Sequence, residues 1–244
     1  MHVCGLANEY RTEYNPLAHL NGITLSIDPA KSRGHSPPMT FPDISFNKIS
    51  LFAEAYFEQL AAAGNSIDEQ SLDAAGAMLG DAYDRNATVY VCGNGGSASI
   101  SNHLVCDHLK GVQTDTKTRP CVVSLSSNIE IISAIANDIS YDDIFVYQLS
   151  TMARSGDLLV TISSSGNSEN IIRAVKWANT NNCKVISMTG FDGGRSSELA
   201  DINLHVQSDN YGIVEDTHQS LMHILAQYLR MERMNPNLLA SRKF

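Results

Sequence analysis

Positive charge is scarce in this 244-residue chain, which carries 17 lysines and arginines against 26 aspartates and glutamates. The formal net charge of −9 argues against a basic surface for nucleic acid, and only Arg242-Lys243 is locally positive. Binding to an anionic membrane is disfavoured for the same reason. No apolar run reaches the roughly 20 residues that a membrane span needs. We therefore expect neither nucleic acid nor a membrane as a partner.

Cysteines are also few, and no two of them have CxxC spacing. The five cysteines are an odd number, and Cys92, Cys121 and Cys183 lie in or beside apolar segments, where cysteine usually serves as a small hydrophobic residue. This pattern is typical of a reducing compartment. Because a signal-peptide pattern is also missing, we expect a cytoplasmic protein.

Proline divides the chain into two parts. Five of the seven prolines lie in residues 1–46, which show little sustained periodicity, and we interpret this segment as an extended or partly disordered leader. Residues 47–244 are then expected to form a single domain. Helical patterns over residues 46–63 and 67–83 open it, and a long helical pattern over residues 212–234 closes it.

Short apolar strands alternate with helical segments between these helices. Strands are predicted over residues 88–92, 121–126, 158–162, 184–188 and 202–206. Helical patterns separate most of them, which is typical of a parallel sheet with helices on both faces. The predicted fold is therefore α/β, a doubly wound parallel five-stranded sheet flanked by helices.

The most informative stretch follows the third predicted strand. Residues 161–168, with the sequence TISSSGNS, contain four serines, and an amphipathic helical pattern begins directly after them. A helix N-terminus offers free backbone N–H groups and a partial positive charge, and serines add hydroxyl donors. An ordinary helix cap needs only one hydroxyl. We therefore predict a phosphate site formed by Ser163, Ser164, Ser165 and Ser168.

A second turn, rich in glycine, follows the first predicted strand. Its sequence is Gly93-Asn94-Gly95-Gly96-Ser97, and a helical pattern over residues 98–109 comes next. No lysine follows the glycines, which excludes a P-loop, and the spacing differs from the dinucleotide motif. Without a basic residue in either turn, recognition rests on N–H groups and hydroxyls, which suits a small sugar phosphate better than a nucleoside triphosphate. At the ends of neighbouring strands, the two turns would form the usual ligand crevice of an open α/β sheet.

These motifs resemble the sugar isomerase (SIS) domain family and, within it, the phosphoheptose isomerases. The resemblance covers residues 47–234 and rests on residues 91–98 (VCGNGGSA), Asn137-Asp138, residues 161–168 and the last helix near Glu215. It implies an aldose–ketose isomerase that converts a sugar phosphate, sedoheptulose 7-phosphate, to a heptose 7-phosphate. It also implies a homotetramer with helices at its centre and active sites shared between chains.

The resemblance further implies roles for individual residues. The glycine turn, a loop with Asn137-Asp138 and the serine turn would hold the substrate through Asn94, Gly95, Gly96, Ser97, Asn137, Asp138, Ser163, Ser164, Ser165 and Ser168. The family places metal or acid–base residues at His103, Asp107, Glu215 and His223. The isomerases that the chain resembles usually carry glutamate at position 107 and glutamine at position 215, so this chain departs from them at both positions.

The His and carboxylate side chains suit either proton transfer or a metal. His103 and Asp107 are one helical turn apart and face the same way, whereas Glu215 and His223 are two turns apart. Isomerisation through an enediol needs a base, which is Asp107 or Glu215, and an acid, which is His223 with His103 in support. All four residues are also suitable ligands for Zn²⁺, which would polarise the carbonyl group. Both mechanisms remain open at this point.

Two other functions are compatible with the same fold. One is a non-catalytic module that binds a sugar phosphate or regulates the initiation of replication through a protein partner, since the two turns alone do not identify an enzyme. Retention of the four His and carboxylate residues favours the enzyme, because a binding module does not need them all. The other is an amino-sugar phosphate isomerase or lyase, which normally has a second SIS domain, and this chain is too short for two.

Overall fold

The structure, a computed structural model, describes residues 40–244, so residues 1–39 of the predicted leader lie outside the described residues. Within residues 40–46, which we assigned to the leader, Phe41 and Phe46 pack against the domain. The Phe41 side chain is buried, and its carbonyl accepts a hydrogen bond from the Asn210 side chain at 2.9 Å. The packed domain therefore includes residues before position 47, where the change in composition placed its start.

Five strands and eight α-helices make up most of the regular structure of the described residues. The strands are β1 (Thr88–Gly93), β2 (Cys121–Ser124), β3 (Leu158–Ser163), β4 (Lys184–Thr189) and β5 (Ile202–His205). The α-helices are α1 (Ile49–Asn65), α2 (Glu69–Asp84), α3 (Gly96–Cys106), α4 (Ile129–Asp138), α5 (Ile144–Met152), α6 (Glu169–Thr180), α7 (Gly194–Leu199) and α8 (Tyr211–Arg233).

The strands pair in the order β2-β1-β3-β4-β5, and every pair is parallel. This confirms the predicted five-stranded, doubly wound sheet. β1 and β3 are neighbours, with Cys92 beside Thr161 and Gly93 beside Ile162. Because parallel neighbours end at the same edge of a sheet, the glycine turn after β1 and the serine turn after β3 lie side by side.

Apolar side chains form one buried layer on each face of the sheet. β1 shows the alternation, since Val89 and Val91 belong to one layer and Tyr90 and Cys92 to the other. The first layer includes residues of α2, α3 and α8, and the second includes residues of α4, α5 and α6. α3, which carries His103, and α8, which carries Glu215 and His223, therefore share one face. In the described part of the chain, no helix combines the length and hydrophobicity that a bilayer span requires.

The predicted helix over residues 98–109 differs most from the structure. α3 begins earlier, at Gly96, and ends at Cys106, where the chain continues as a wider π-helical turn over Asp107–Val112. Such turns hold one more residue per hydrogen-bonded loop than an α-helix and are frequent at functional sites. Here the half-buried Asp107 is followed by His108, which is fully buried.

The Asn137-Asp138 pair is also placed differently from the expectation. The resemblance implied a loop, but the pair forms the last turn of α4. Asn128 caps this helix, because its side chain accepts a hydrogen bond from the Ile131 N–H at 3.0 Å. The helical pattern thus continues through both polar residues and ends only after Asp138.

Candidate active site

The serine turn joins β3 to α6, and the segment after β4 holds its backbone. Gly166 has a φ of +62°, which glycine adopts without strain. A Cβ at this position would lie 2.9 Å from the Ser196 hydroxyl, so close packing also requires glycine. The Ser196 N–H donates to the Gly166 carbonyl at 2.9 Å, and the Gly190 N–H donates to the Ser164 carbonyl at 2.8 Å. Two backbone hydrogen bonds from the segment after β4 therefore hold the turn.

The structure brings the four predicted serines together at the start of α6. Ser163 and Ser164 are buried, whereas Ser165 and Ser168 are half-buried. Ser168 occupies the N-cap position, but its side chain makes no capping hydrogen bond. The Ser165 hydroxyl accepts one local hydrogen bond, from the Asn167 N–H at 3.3 Å. Hydroxyl donors at a helix N-terminus therefore remain available for an anion.

Two asparagine side chains connect the serine turn with the glycine turn. Asn94 donates to Asn170 at 2.9 Å, and Asn170 donates back to Asn94 at 3.0 Å. The Tyr141 hydroxyl donates to the same Asn94 oxygen at 3.0 Å. Asn170 is buried in the first turn of α6, and the sequence analysis missed it. The signal for Asn170 was a polar residue directly before the apolar pair Ile171-Ile172.

The glycines of the first turn bring the backbone close to α8. Gly95 has φ and ψ of +54° and −121°, a conformation that side chains disfavour. A Cβ on Gly96 would lie 2.8 Å from the carboxyl carbon of Glu215. Ser97 follows in the first turn of α3 and is buried. Glu215 therefore borders the glycine turn at the point where α3 begins.

Three of the four predicted His and carboxylate residues form one group. His223 Nδ1 lies 2.6 Å from one carboxylate oxygen of Asp107, and His103 Nε2 lies 3.4 Å from the other. The two imidazole rings are nearly perpendicular, with centroids 4.9 Å apart. Glu215, the fourth predicted residue, lies outside this group and beside Gly96 instead.

Gln219 completes the group, and the sequence analysis missed it as well. Its Nε2 lies 3.1 Å from His103 Nδ1 and 2.9 Å from His223 Nε2. The residue is one helical turn after Glu215 and one turn before His223, so all three project from one side of α8. That spacing of four was the signal that could have identified it.

The donor atoms of this group suit Zn²⁺. Imidazole nitrogens and carboxylate oxygens are common zinc ligands. One such atom from each of His103, Asp107 and His223 lies within 4.8 Å of the others, and this is the single group of its kind within residues 40–244. Three of the four predicted metal ligands therefore lie close to one another.

Asn137 and Asp138 lie at the exposed end of α4. The Asn137 amide donates to the Asp138 carboxylate at 2.7 Å, so the two side chains restrain each other. A cavity of about 570 Å³ beside them is lined by Ser127, Asn128 and Asp138 among others. The chain then reaches Tyr141, whose hydroxyl contacts Asn94, so the end of α4 is joined to the glycine turn.

Two further histidines, His108 after Asp107 and His218 in α8, are fully buried. Burial lowers the pKa of both His108 and His218 to about 4, because the interior disfavours the charged imidazole. His108 Nδ1 is paired with the Tyr83 hydroxyl, and burial raises the pKa of that tyrosine. Both histidines are therefore neutral core residues near pH 7.

Known proteins provide an independent test of the resemblance. The family model described as SIS domain matches residues 55–190, which include the glycine turn, the serine turn and the strands before them. The chain belongs to the SIS domain family. The predicted resemblance is therefore confirmed, and so is the fold class that it implied.

Within the SIS domain family, the chain is similar to phosphoheptose isomerases. It is 35% identical over 164 residues to the phosphoheptose isomerase of Aliarcobacter butzleri, which covers 67% of this chain and 86% of that protein. It is 33% identical over 181 residues to the phosphoheptose isomerase of Colwellia psychrerythraea, which covers 73% and 91%. The structure of phosphoheptose isomerase from Neisseria gonorrhoeae superposes with a TM-score of 0.68 at 28% identity, over 75% of this chain and 98% of that one.

Proposed function

We propose that this SIS domain protein is an aldose–ketose isomerase that converts sedoheptulose 7-phosphate to a heptose 7-phosphate. The observation that carries the proposal is the combination of a serine turn at a helix N-terminus with a His/carboxylate group formed by α3, the π-helical turn after it and α8. A module that only binds a sugar phosphate needs the turns but has no use for paired His and Asp side chains. The similarity to proteins named phosphoheptose isomerase supports the same substrate.

Substrate binding starts at the phosphate. Backbone N–H groups at the N-terminus of α6 hold it together with the hydroxyls of Ser163, Ser164, Ser165 and Ser168. The sugar chain lies along the glycine turn, where Asn94, Gly95, Gly96 and Ser97 allow a close backbone approach. Asn137 and Asp138 contact sugar hydroxyls from the end of α4. Their placement next to Tyr141, which contacts Asn94, supports this role.

Proton transfer is assigned to Asp107 and His223. A base removes a proton from C1 of the ketose while the C2 oxygen gains a proton, which gives the enediol. Return of a proton to C2 and loss of the O1 proton give the aldose. Asp107 is the base, and His223, only 2.6 Å from it, moves the proton on the oxygen with His103 in support. Glu215, beside the glycine turn, is the second candidate for the base.

His103, Asp107 and His223 are also the residues that would hold Zn²⁺, with Glu215 as the fourth proposed ligand. When bound, the metal would polarise the carbonyl group of the substrate. The Glu215 carboxylate brings a negative charge where the related isomerases usually have a neutral amide, and this charge favours cation binding.

Incubation of the purified full chain with sedoheptulose 7-phosphate in D₂O tests the proposal. An isomerase that works through an enediol exchanges the proton on the carbon next to the carbonyl, so NMR should show an aldose signal and deuterium at its C2. The assay is run with added zinc and after chelation, with elemental analysis of both samples. Binding of the sugar phosphate with neither product nor exchange would support the non-catalytic module instead.

We further propose that the protein is a cytoplasmic homotetramer. α1 leaves Ile49 87% exposed and Phe57 67% exposed, and α8 leaves Ile224 and Tyr228 half-exposed. A monomer rarely exposes apolar side chains of this size along its helices, so these faces support an assembly. Light scattering at micromolar concentration should report four copies, and a stable monomer would contradict the proposal.

A further inference from the structure

The backbone oxygens of the serine turn are all paired within the protein. Each of the six carbonyl groups from Ser163 to Ser168 accepts a hydrogen bond. A phosphate only accepts hydrogen bonds and is repelled by carbonyl oxygens, so pairing these oxygens with protein donors favours an anion at the turn. The donors, in the order of the carbonyls, are the N–H groups of Gly166 and Gly190, the Asn167 amide, the Ser196 N–H, the Arg195 guanidinium and the Ile172 N–H.

Arg195 reaches the turn from α7, which follows β4. Its backbone N–H donates to Asn167 Oδ1 at 3.1 Å, and its guanidinium donates to the Asn167 carbonyl at 3.0 Å. The Asn167 side chain, held in this way, donates to the Ser165 carbonyl at 3.1 Å. Two of the six paired carbonyls therefore depend on Arg195, one directly and one through Asn167.

The same guanidinium group binds the carboxylate of Glu169, the residue that begins α6. A carboxylate there uses the partial positive charge of the helix N-terminus, which a phosphate would also use. The hydrogen bond from Arg195, at 2.9 Å, holds the pKa of Glu169 below its ordinary value, so this carboxylate is charged near pH 7. Arg173 also contacts Glu169, at 3.4 Å, but it is shared with Asp142 and Asp143. Arg195 is therefore the main cation that balances Glu169.

We propose that Arg195 is a positioning residue of the phosphate site, which pairs the Asn167 carbonyl and balances the Glu169 charge so that the start of α6 accepts a phosphate. Neither the glycine turn nor the serine turn contains a basic residue, and the fold supplies one from a third segment. Arg195 acts through Asn167 and Glu169. The inference rests on the phosphate site of the proposed function and is independent of the proton transfer proposed for α3 and α8.

Calorimetric titration of the purified full chain with sedoheptulose 7-phosphate, and separately with inorganic phosphate, tests this role. Arg195→Met keeps the length of the side chain but removes its charge and donors, so affinity for both ligands should fall about fivefold, the effect of one surface charge on a phosphate. Arg195→Lys keeps the charge and should stay within about twofold of the wild type.

Arg85→Met is the matched control and should leave both affinities unchanged. The Arg85 side chain is 48% exposed, as is that of Arg195, and it also binds one carboxylate, that of Asp81, and one backbone carbonyl, that of Gly156. Arg85 precedes β1 and Gly156 precedes β3, so this arginine lies at the end of the sheet opposite the two turns.

A second substitution separates the charge from a general effect on the fold. In the double variant Arg195→Met/Glu169→Gln the carboxylate that Arg195 balances is gone as well, so phosphate affinity should return to within about twofold of the wild type. Loss of an arginine that only supports the fold would not be repaired by removing its partner. Equal affinities in wild type and Arg195→Met, or no recovery in the double variant, would overturn the proposal.

Kinetics of the same variants show where Arg195 acts. In Arg195→Met, KM for the sugar phosphate should rise about fivefold while kcat stays within about twofold, because the proposed acid–base residues lie on other elements. A loss confined to kcat would also overturn the role of Arg195. If the affinities follow the expected order but neither product nor deuterium exchange is found, isomerase activity fails and the role of Arg195 stands. A wild type that binds neither ligand would overturn both.

Discussion

The amides of Asn94 and Asn170 face each other and exchange two hydrogen bonds, at 2.9 and 3.0 Å, although the residues are 76 positions apart. Asn94 belongs to the glycine turn after β1, and Asn170 belongs to the helix that follows the serine turn after β3. The pair therefore links the segment proposed to hold the sugar with the segment proposed to hold its phosphate. This link gives the first of four predictions.

Replacement of Asn170 by alanine should disturb the glycine turn from a distance. The change removes both bonds to Asn94 and leaves the half-buried Asn94 amide N–H without its partner, which costs about 1–3 kcal/mol of unfolding free energy. Affinity for the sugar phosphate should fall as well, although Asn170 itself is buried. Calorimetric titration measures the affinity, and thermal unfolding measures the stability. Lys176→Gln, an exposed change on the same helix, should alter neither, and equal affinities in wild type and Asn170→Ala would contradict the link.

Replacement of Ser165 by alanine should weaken binding of the phosphate. The Ser165 side chain is half-buried and has one local hydrogen bond, so its loss should leave the fold intact. Loss of one charge-assisted hydrogen bond to the phosphate should reduce affinity about tenfold. Ser150→Ala, whose hydroxyl bonds locally to the Tyr147 carbonyl, serves as the control. Affinity is measured for the phosphorylated sugar and, as a reference, for the unphosphorylated sugar. If the variant binds the phosphorylated sugar as tightly as the wild type does, the serine turn is not the phosphate site.

Asp107 and Glu215 should respond differently to removal of their charge. Asp107→Asn removes the proposed base next to His223 and should lower kcat by about 10²–10⁴-fold. Glu215→Gln restores the residue that the resembled isomerases usually carry and should leave kcat within about threefold. Both variants should contain less zinc than the wild type, because each of them lacks a carboxylate that favours cation binding. A large loss of kcat in Glu215→Gln with activity retained in Asp107→Asn would transfer the role of base to Glu215.

Stability should fall as the pH drops below neutrality, because two histidines are buried uncharged. His218 has a pKa of about 4 when folded and an ordinary value of 6.5 when unfolded. The unfolded chain therefore binds a proton in the window from pH 6.5 to 4 that the folded chain does not, and unfolding becomes more favourable as pH decreases. At the acidic end of this window, proton binding by the unfolded chain lowers the free energy of unfolding by about 3 kcal/mol for one such histidine. Urea unfolding at several pH values should show this fall in the free energy of unfolding. His218→Gln should make the fall smaller below pH 6.5 and leave the pH dependence above pH 7 unchanged.

The sheet and both turns could be predicted from the sequence because their signals are local. β3 was expected over residues 158–162 and is Leu158–Ser163, and the serine turn follows it as predicted. The apolar runs are short, and β1, β2 and β3 end in glycine or serine, so these strands are marked by their own residues. The parallel arrangement followed from the alternation of strands and helices, whereas the neighbouring positions of β1 and β3 were assumed for the two turns and are seen only in the structure.

Asn170 and Gln219 could not be assigned in the same way because their partners are distant in the chain. Gln219 meets His103 across 116 positions, and only the packing of α8 against α3 makes them neighbours. The π-helical turn at Asp107–Val112 was also missed, because nothing in these six residues distinguishes it from an α-helix by periodicity. Glu215 was expected with the histidines, but the start of α3 at Gly96 brings it to the glycine turn.

The register between β1 and β3 has a consequence for the size of the ligand. Paired strands lie about 4.8 Å apart, and this separation is set by backbone hydrogen bonds that side-chain replacements leave in place. The glycine turn and the serine turn are therefore anchored one strand apart, whatever residues they carry. Side chains of α3 and α8 form the facing wall, and they are free to vary in length. We expect differences in preferred sugar length among proteins of this fold to follow those helix side chains rather than the spacing of the turns.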